Sequence, residues 1–422
     1  VCTAAYRPVV FRASLLIIDR QALFFMGLFL AATFAVGVFS YGRVTRLSTH
    51  SGEYYVLLSL AVLGAMVLAA SDHFASFALG IELLSVSLFA LIAYRRRRPE
   101  ALEAAVKYLI LGGVSSSLLL FGLALVYSQA GTMQLHELGR VPMSVSGPAG
   151  VTLVAGVVAV LAGVGFKLAL VPFHFWTPEV YEGAPTPVAA FIATVSKGAV
   201  FASLLRWLPF MGHAMPGPLS LALALLAGSS MVAGNVLALR QDRIRRLLAY
   251  SSIAHLGYML TLVLVSPSVC GDVSSVYLTS YFLSMLAAFG CVSVVSSGCG
   301  GGELISSFRG LSTRSPVLSA VLTVAFLSLA GLPLTAGFVA KFYLVLAGLD
   351  AGRLALIVLI AFNSALSLYY YLRVVVVQFQ EPSSGREVRE QVDLRMRLAL
   401  VLLTAGTLIA GVLPQLLFGL IR

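Results

Sequence analysis

Charge is scarce in this chain. Lys, Arg, Asp and Glu together make up 11% of its 422 residues, against 59% hydrophobic residues. The length alone would suit two or three soluble domains, but this balance excludes them. Mean hydropathy is +0.97, and apolar runs of about 17–25 residues, enough to cross a bilayer, recur throughout. The composition defines an all-α polytopic membrane protein. Cysteine is almost as rare. Cys2, Cys270, Cys291 and Cys299 form no C-x-x-C and hold no ligand spacing with histidine, so no iron–sulfur cluster or structural zinc is expected. Cys291 is expected to be a small core residue. A net charge of +11 would suggest nucleic acid in a soluble protein. Here the excess is arginine in short loops, which sets orientation, and no nucleic-acid partner is expected. The chain opens on Val1 with no basic-then-apolar signal pattern, so a missing or non-standard start is expected.

Lysine is the scarcest cation, and its placement is informative. Of 28 Lys and Arg residues, only Lys107, Lys167, Lys197 and Lys341 are lysine, and all four fall inside apolar runs. Arginine does nearly all the loop work. The physical reason is that arginine keeps its charge, whereas a lysine taken out of water can release and recapture a proton.

The pattern predicts about twelve spans, near 21–41, 54–71, 73–94, 103–128, 150–183, 187–209, 217–239, 244–266, 274–297, 315–348, 352–378 and 397–420. Residues 1–20, with Arg7, Arg12, Asp19 and Arg20, are too polar to cross. With these spans in register, Arg43, Arg46, the run Arg95 to Arg98, Arg240, Arg243, Arg245, Arg246, Arg309, Arg314, Arg386 and Arg389 share one side. The positive-inside rule makes that side cytoplasmic.

The chain is organised around Phe166 to Lys197, which packs two lysines, His174, Glu179, Glu182 and four prolines into an apolar setting. Pro172 has no N–H, so it frees a helical carbonyl. A membrane helix tolerates that only against protein or a wet cavity. A second broken span, FLSLAGLPLTAGFVAKF, turns at Pro333 between Gly331 and Gly337. Five spans over 54–209 end one span after the first break, and five over 210–378 end one span after the second. An odd number per repeat inverts the topology, the plan of many transporters. Residues 1–53 and 379–422 then flank two inverted five-helix repeats, each with a discontinuous helix.

Charges at depth are expensive in a bilayer and read as functional by default. Glu82 is central in its span and must pair, protonate or face water. Its expected partner is Lys167 on a facing helix. Lys197 and Lys341 lie at similar depth without an obvious acid. Lys107 is only a few residues inside its span and can snorkel to the interface, so a relay role and a surface role both stay open. His255, in AYSSIAHLGYM with Tyr250, Ser251, Ser252 and Tyr258 around it, suits either a proton relay or a satisfied core histidine. His174 suits a structural bond to a freed carbonyl. Haem would need axial ligands that this set hardly supplies, and no cofactor is expected. Glu179 and Glu182 fit a solvated turn or a channel mouth. Trp176 to Pro187 reads as a short half-helix followed by a tight turn.

FKLALVPFHFWTPEVYEGAPTPV, GIELLSVSLFALIAY, RRLLAYSSIAHLGYM and LSLAGLPLTAGFVAKF, in that order, resemble the antiporter-like membrane subunits of respiratory NADH:quinone oxidoreductase, complex I of bacteria. The resemblance covers essentially the whole chain. Lys341 favours the N-type subunits, since M-type subunits carry Glu there and L-type a Lys followed by Asp. The resemblance implies about fourteen spans, with two lying before residue 1, and a short end without a long lateral helix. It implies proton pumping driven by quinone reduction elsewhere in the complex, with no redox centre in this chain. A central polar axis is assigned to Glu82, Lys167, Lys197, His255 and Lys341, with Lys107 near the first repeat. Implied partners are a neighbouring antiporter-like subunit, small membrane subunits, a partner's lateral helix and lipid, in the bacterial inner membrane. Subunits of multisubunit sodium/proton antiporters and of membrane-bound hydrogenases share the fold. A self-contained substrate carrier and a structural anchor are the readings from other classes. The buried lysines speak against an anchor. Against a carrier stands the absence of any sign of a pocket for a larger solute.

Overall fold

The computed structural model describes residues 9–47, 51–138, 147–211, 217–264, 267–298, 304–381 and 392–421. The expectations on Cys2, Cys299, Arg386 and Arg389 lie outside them. The chain enters through a hairpin, β1 (Val9–Arg12) and β2 (Ile17–Asp19), and is helical from there on. In order come α1 (Arg20–Leu47), α2 (Ser51–Ala70), α3 (Phe74–Ile92), α4 (Pro99–Ala130), α5 (Leu135–Leu138) and α6 (Gly147–Leu168). Then come α7 (Trp176–Gly183), α8 (Thr186–Phe191), a π-helical turn (Ile192–Ser196), α9 (Lys197–Met211), α10 (Gly217–Leu239), α11 (Ile244–Val263) and α12 (Pro267–Gly298). A 3-10 turn (Ile305–Phe308) leads to α13 (Leu311–Arg314), α14 (Pro316–Ala330), α15 (Ala336–Asp350), α16 (Leu354–Phe379), α17 (Leu394–Val412) and α18 (Pro414–Ile421).

Ten described helices are long and apolar enough to cross a membrane. The remaining expected stretches fall on α11, which starts with arginines, and on α14 with α15, each half being short. Both expected breaks are present. α6 stops at Leu168, five residues before Phe173, and α14 stops at Ala330 with α15 starting at Ala336. Each break contains a non-glycine residue with positive φ, Ala169 at 59° and Leu334 at 71°. L-residues adopt that conformation only when the surroundings enforce it.

Burial separates a centre from a rim. The α8–α9 span is buried along its whole apolar window, and α12 along 89% of its own. α16 and α17 bury only 28% and 22% and carry exposed Phe362, Val376, Leu402 and similar residues, a surface suited to lipid or neighbouring apolar helices. Helix ends follow ordinary chemistry. His73 Nδ1 accepts from Ala75 N (3.0 Å) to cap α3, and α4 opens on Pro99 and closes on Gly131 in the left-handed region. Of the first twenty residues, expected only not to cross, the described part from residue 9 is stitched to the helical body. Asp19 caps α1 through Ala22 N (2.7 Å) and accepts from Arg206 of α9 (2.8 Å). The Arg206 Nε also donates to the Ala69 carbonyl at the end of α2 (2.6 Å).

Candidate functional site

The first break shows how a freed backbone is satisfied. The Trp176 indole N–H donates to the Phe166 carbonyl (3.0 Å), and the Val171 N–H donates to Ser230 Oγ of α10 (2.9 Å). Lys167, one residue before the end of α6, is therefore free to reach sideways. Its Nζ donates to Ser85 Oγ of α3 at 2.7 Å. Glu82 stands one turn before Ser85, half-buried on the same helix face. The expected direct pair needs correction: among the described residues no ion pair joins Glu82 to Lys167. The hydroxyl of Ser85 occupies the place at the ammonium, and Glu82 acts on Lys167 through space.

Lys197 is fully enclosed, 1% exposed. The π-helical turn just before it adds one residue to the helical register and so redirects the side chain, a device frequent at functional sites. Its Nζ donates to Ser252 Oγ of α11 (2.7 Å) and lies 5.4 Å above the Tyr181 ring, whose hydroxyl is 3.3 Å from the same Ser252 Oγ. Cation–π attraction and one hydrogen bond replace water.

His255 bonds to hydroxyls on both ring nitrogens, Nδ1 to Tyr277 (2.9 Å) and Nε2 to Tyr371 (3.3 Å). Tyr371 bonds in turn to Ser251. Ser251 and Ser252 are consecutive on α11, so one helix presents a hydroxyl to the Lys197 side and another to the His255 side. Beside the ring lies a cavity of about 10 Å³, the room one water needs, with Ser280, Ser284 and Ser328 in its wall.

Lys341 sits in the second turn of α15 and reaches back across the break. Its Nζ donates to the carbonyls of Ala330 (2.8 Å) and Leu329 (3.2 Å), left open where α14 stops. The ammonium lies 5.3 Å above the Tyr258 ring, which stands 5.8 Å from the ring of His255. Gly331 makes this fit possible. Its φ is 84°, and a Cβ there would stand 2.7 Å from Lys341 Cδ.

The other candidates separate from this group. Lys107 is 41% exposed and pairs with Glu103 (2.7 Å) and Glu179 (2.8 Å). It lines a charged vestibule of about 570 Å³ with Arg98, Glu182, Arg243 and Arg246, and Glu182 is paired with both of those last arginines. His174 is buried and its Nδ1 has no partner, while the imidazole bonds to the backbone of Pro172 within the break, in keeping with the expected structural role. Cys291 is core, as expected, with its thiol 3.6 Å from the Leu318 carbonyl. Among the described residues no group of three or more His, Cys, Asp or Glu could hold a metal.

Sequence reasoning passed over Ser85, Tyr277, Tyr371 and a buried amide cluster. Asn235 donates to Asn363 Oδ1 (3.1 Å) and to Tyr258 OH (3.2 Å) and accepts from Tyr370 OH (2.9 Å). The signal for it was available. These are the only two asparagines in the chain, both sit in apolar runs, and each is fully buried.

Two interrupted membrane helices and a file of buried lysines define an antiporter-like membrane protein. Comparison with known proteins agrees. The family described as NADH:quinone oxidoreductase/Mrp antiporter, TM, matches residues 70–367. NADH-quinone oxidoreductase subunit N of Methylococcus capsulatus is 43% identical over 405 residues, 95% of this chain and 81% of that protein. The subunit N of Nitrosospira multiformis is 47% identical over 379 residues, 87% of this chain and 75% of that one. A chain of respiratory complex I from Thermus thermophilus superposes with a TM-score of 0.82 at 35% identity, covering 97% of this chain and 88% of that chain. The chain belongs to the family of NADH:quinone oxidoreductase and Mrp antiporter membrane subunits.

Proposed function

We propose that this chain is a proton-translocating membrane subunit of an NADH:quinone oxidoreductase, working with other membrane subunits as its partners. The observation that carries the reading is the set of three enclosed lysines, each held by neutral groups: Lys167 on Ser85, Lys197 on Ser252, and Lys341 on two backbone carbonyls. Neutral partners leave each amine able to release its proton, which a tight ion pair would oppose. Glu82, Lys167, Lys197, His255 and Lys341 form the relay, and the Lys107 vestibule is the mouth that collects protons. Between the lysines the hydroxyls do the passing. As Ser251 takes up a proton arriving from the Lys197 side it hands its own to Tyr371, and Tyr371 hands its own to His255 Nε2, so one proton moves and each hydroxyl is restored. The driving energy comes from quinone reduction elsewhere in the complex.

Residues 54–209 and 210–378 are read as the two inverted repeats, with 1–53 and 379–422 as flanks and about twelve spans in all. Gly64 of α2 meets Gly80 and Leu84 of α3, and Gly234 of α10 meets Tyr250 and Ala254 of α11 at the same sequence offsets, which supports the duplication. The setting is the bacterial inner membrane with the arginine-rich turns cytoplasmic. The neighbours are an antiporter-like subunit, small membrane subunits, a lateral helix of a partner, and lipid.

The same family includes Mrp antiporter subunits, and purification decides between the two. Co-purification with flavin and iron–sulfur subunits supports the oxidoreductase, whereas a complex lacking them supports an antiporter. With the oxidoreductase in sealed vesicles, proton pumping coupled to NADH oxidation tests the role of the chain. Lysine variants that oxidise NADH normally and also pump normally would overturn the relay.

A further inference from the structure

A second site lies outside the relay, toward the end of α16 where the arginine-rich turns gather. A cleft of about 750 Å³ opens between the last turns of α16, the α10–α11 turn and the 3-10 turn. That volume is in the range of small-molecule sites, about 300–1,000 Å³. Its walls are of two kinds. Tyr369, Leu372 and Val376 of α16 line it, on a stripe that continues as the exposed apolar face of the helix through Phe362. Arg309 and Arg373 stand at its mouth with Asp242. Arg373 is spoken for, with its Nη2 2.5 Å from Asp242 Oδ1 and its Nη1 donating to the Gln241 carbonyl. Arg309 is exposed, and its guanidinium has no ion-pair partner among the described residues. Among the residues that line the cleft, two arginines stand against one aspartate.

We propose that this cleft binds one anionic phospholipid, its phosphodiester between Arg309 and Arg373 and an acyl chain along the Tyr369, Leu372 and Val376 stripe. The two chemistries occur in the order that a lipid requires. Tyr369 and Leu372 precede Arg373 along α16 and Val376 stands just beyond it, so an acyl chain lying back along the stripe toward Phe362 would leave its phosphate between Arg373 and Arg309 near the end of the helix. Basic pockets beside membrane helices recognise anionic headgroups in this way, and guanidinium suits a phosphate oxygen pair geometrically. A free phosphate would satisfy the arginines but leave the apolar wall without an occupant. The inference rests on the membrane setting alone and stands apart from the relay.

The test uses the intact purified complex with a benzophenone side chain in place of Val376. It is reconstituted in vesicles of phosphatidylethanolamine with or without phosphatidylglycerol and then irradiated. The expected result is a phosphatidylglycerol adduct, favoured over phosphatidylethanolamine after correction for abundance. It should be reduced about fivefold by Arg309→Gln, the effect of one cation near the surface, and kept by Arg309→Lys. Arg309 is exposed, so its replacement leaves folding intact, which normal NADH oxidation by the same sample checks. An adduct to a neighbouring subunit, equal labelling by the two lipids, or labelling indifferent to Arg309→Gln would each overturn the proposal.

Discussion

The two broken helices solve one problem in opposite ways. At the first break a neutral donor, the Trp176 indole, caps the Phe166 carbonyl, and Lys167 is released to a hydroxyl on another helix. At the second no indole is present, and Lys341 itself caps the carbonyls of Leu329 and Ala330. On the alignment set by the glycine crossings, Glu82 falls opposite Ser252 and Ser85 opposite His255. The first half thus carries an acid and a hydroxyl where the second carries a hydroxyl and an imidazole. The lesson is that the first lysine has a carboxylate nearby, whereas the second is tied to its own backbone and, in the proposed relay, would have to leave it to pass a proton on.

The largest expected effect follows from that tether. Lys341→Ala should cut NADH-driven pumping in sealed vesicles by about a hundredfold, the low end of what a positioned acid–base group contributes. Lys341→Arg should do almost as badly, because arginine can hold the carbonyls but cannot release a proton. Pumping by Lys341→Arg at the parent rate would make residue 341 a fixed electrostatic element and erase the contrast between the halves.

Next come Glu82→Gln and Lys167→Ala, each expected to impair coupled pumping about tenfold in an assembled complex. Ser85→Ala should cost less than either, since a lysine that loses its hydroxyl still feels the carboxylate. If Ser85→Ala were as damaging as Lys167→Ala, the hydroxyl and not the charge pair would be the working element.

Much of this was legible in the sequence. The depth of Glu82, the lysines and His255 follows from position in apolar runs, and both breaks follow from proline and glycine chemistry. The Ser85 bridge did not follow, because serines are common in these helices and which of them faces a lysine is decided by helix rotation. The π-helical turn before Lys197 also left no mark, since Ile192–Ser196 has no Gly or Pro and its β-branched residues and serine only mildly disfavour an α-helix. The hairpin was hidden for a related reason: its polar residues read as too costly to cross, which says nothing of the strands they form.

Trp176→Phe is a smaller perturbation that addresses the first break alone. It removes one of two donors to the Phe166 carbonyl, which keeps the Ala169 N–H at 2.9 Å, so it should cost about 0.5–1.5 kcal/mol of stability, read as a lower unfolding temperature of the detergent-solubilised subunit. Pumping at permissive temperature should fall only modestly. An unchanged unfolding temperature would mean that the backbone bond alone satisfies the carbonyl. Smallest of all, Ala169→Gly and Leu334→Gly relieve the positive φ in each break, the first directly after α6 and the second directly after Pro333. Relief and the added freedom of glycine nearly cancel, so each should move stability by less than about 1 kcal/mol. A large loss at only one of them would show that the two turns are not equivalent.

Arg206 has a bearing on biogenesis. Its guanidinium holds the Ile17 carbonyl and Asp19 at the start of the chain and the Ala69 carbonyl at the end of α2. During synthesis those acceptors leave the ribosome long before their donor. Leu15 and Leu16 of the hairpin can meet Ser71, Asp72 and Ser76 as soon as α2 and α3 are in place, so the guanidinium comes last, a clasp laid over a hairpin that the early helices already hold.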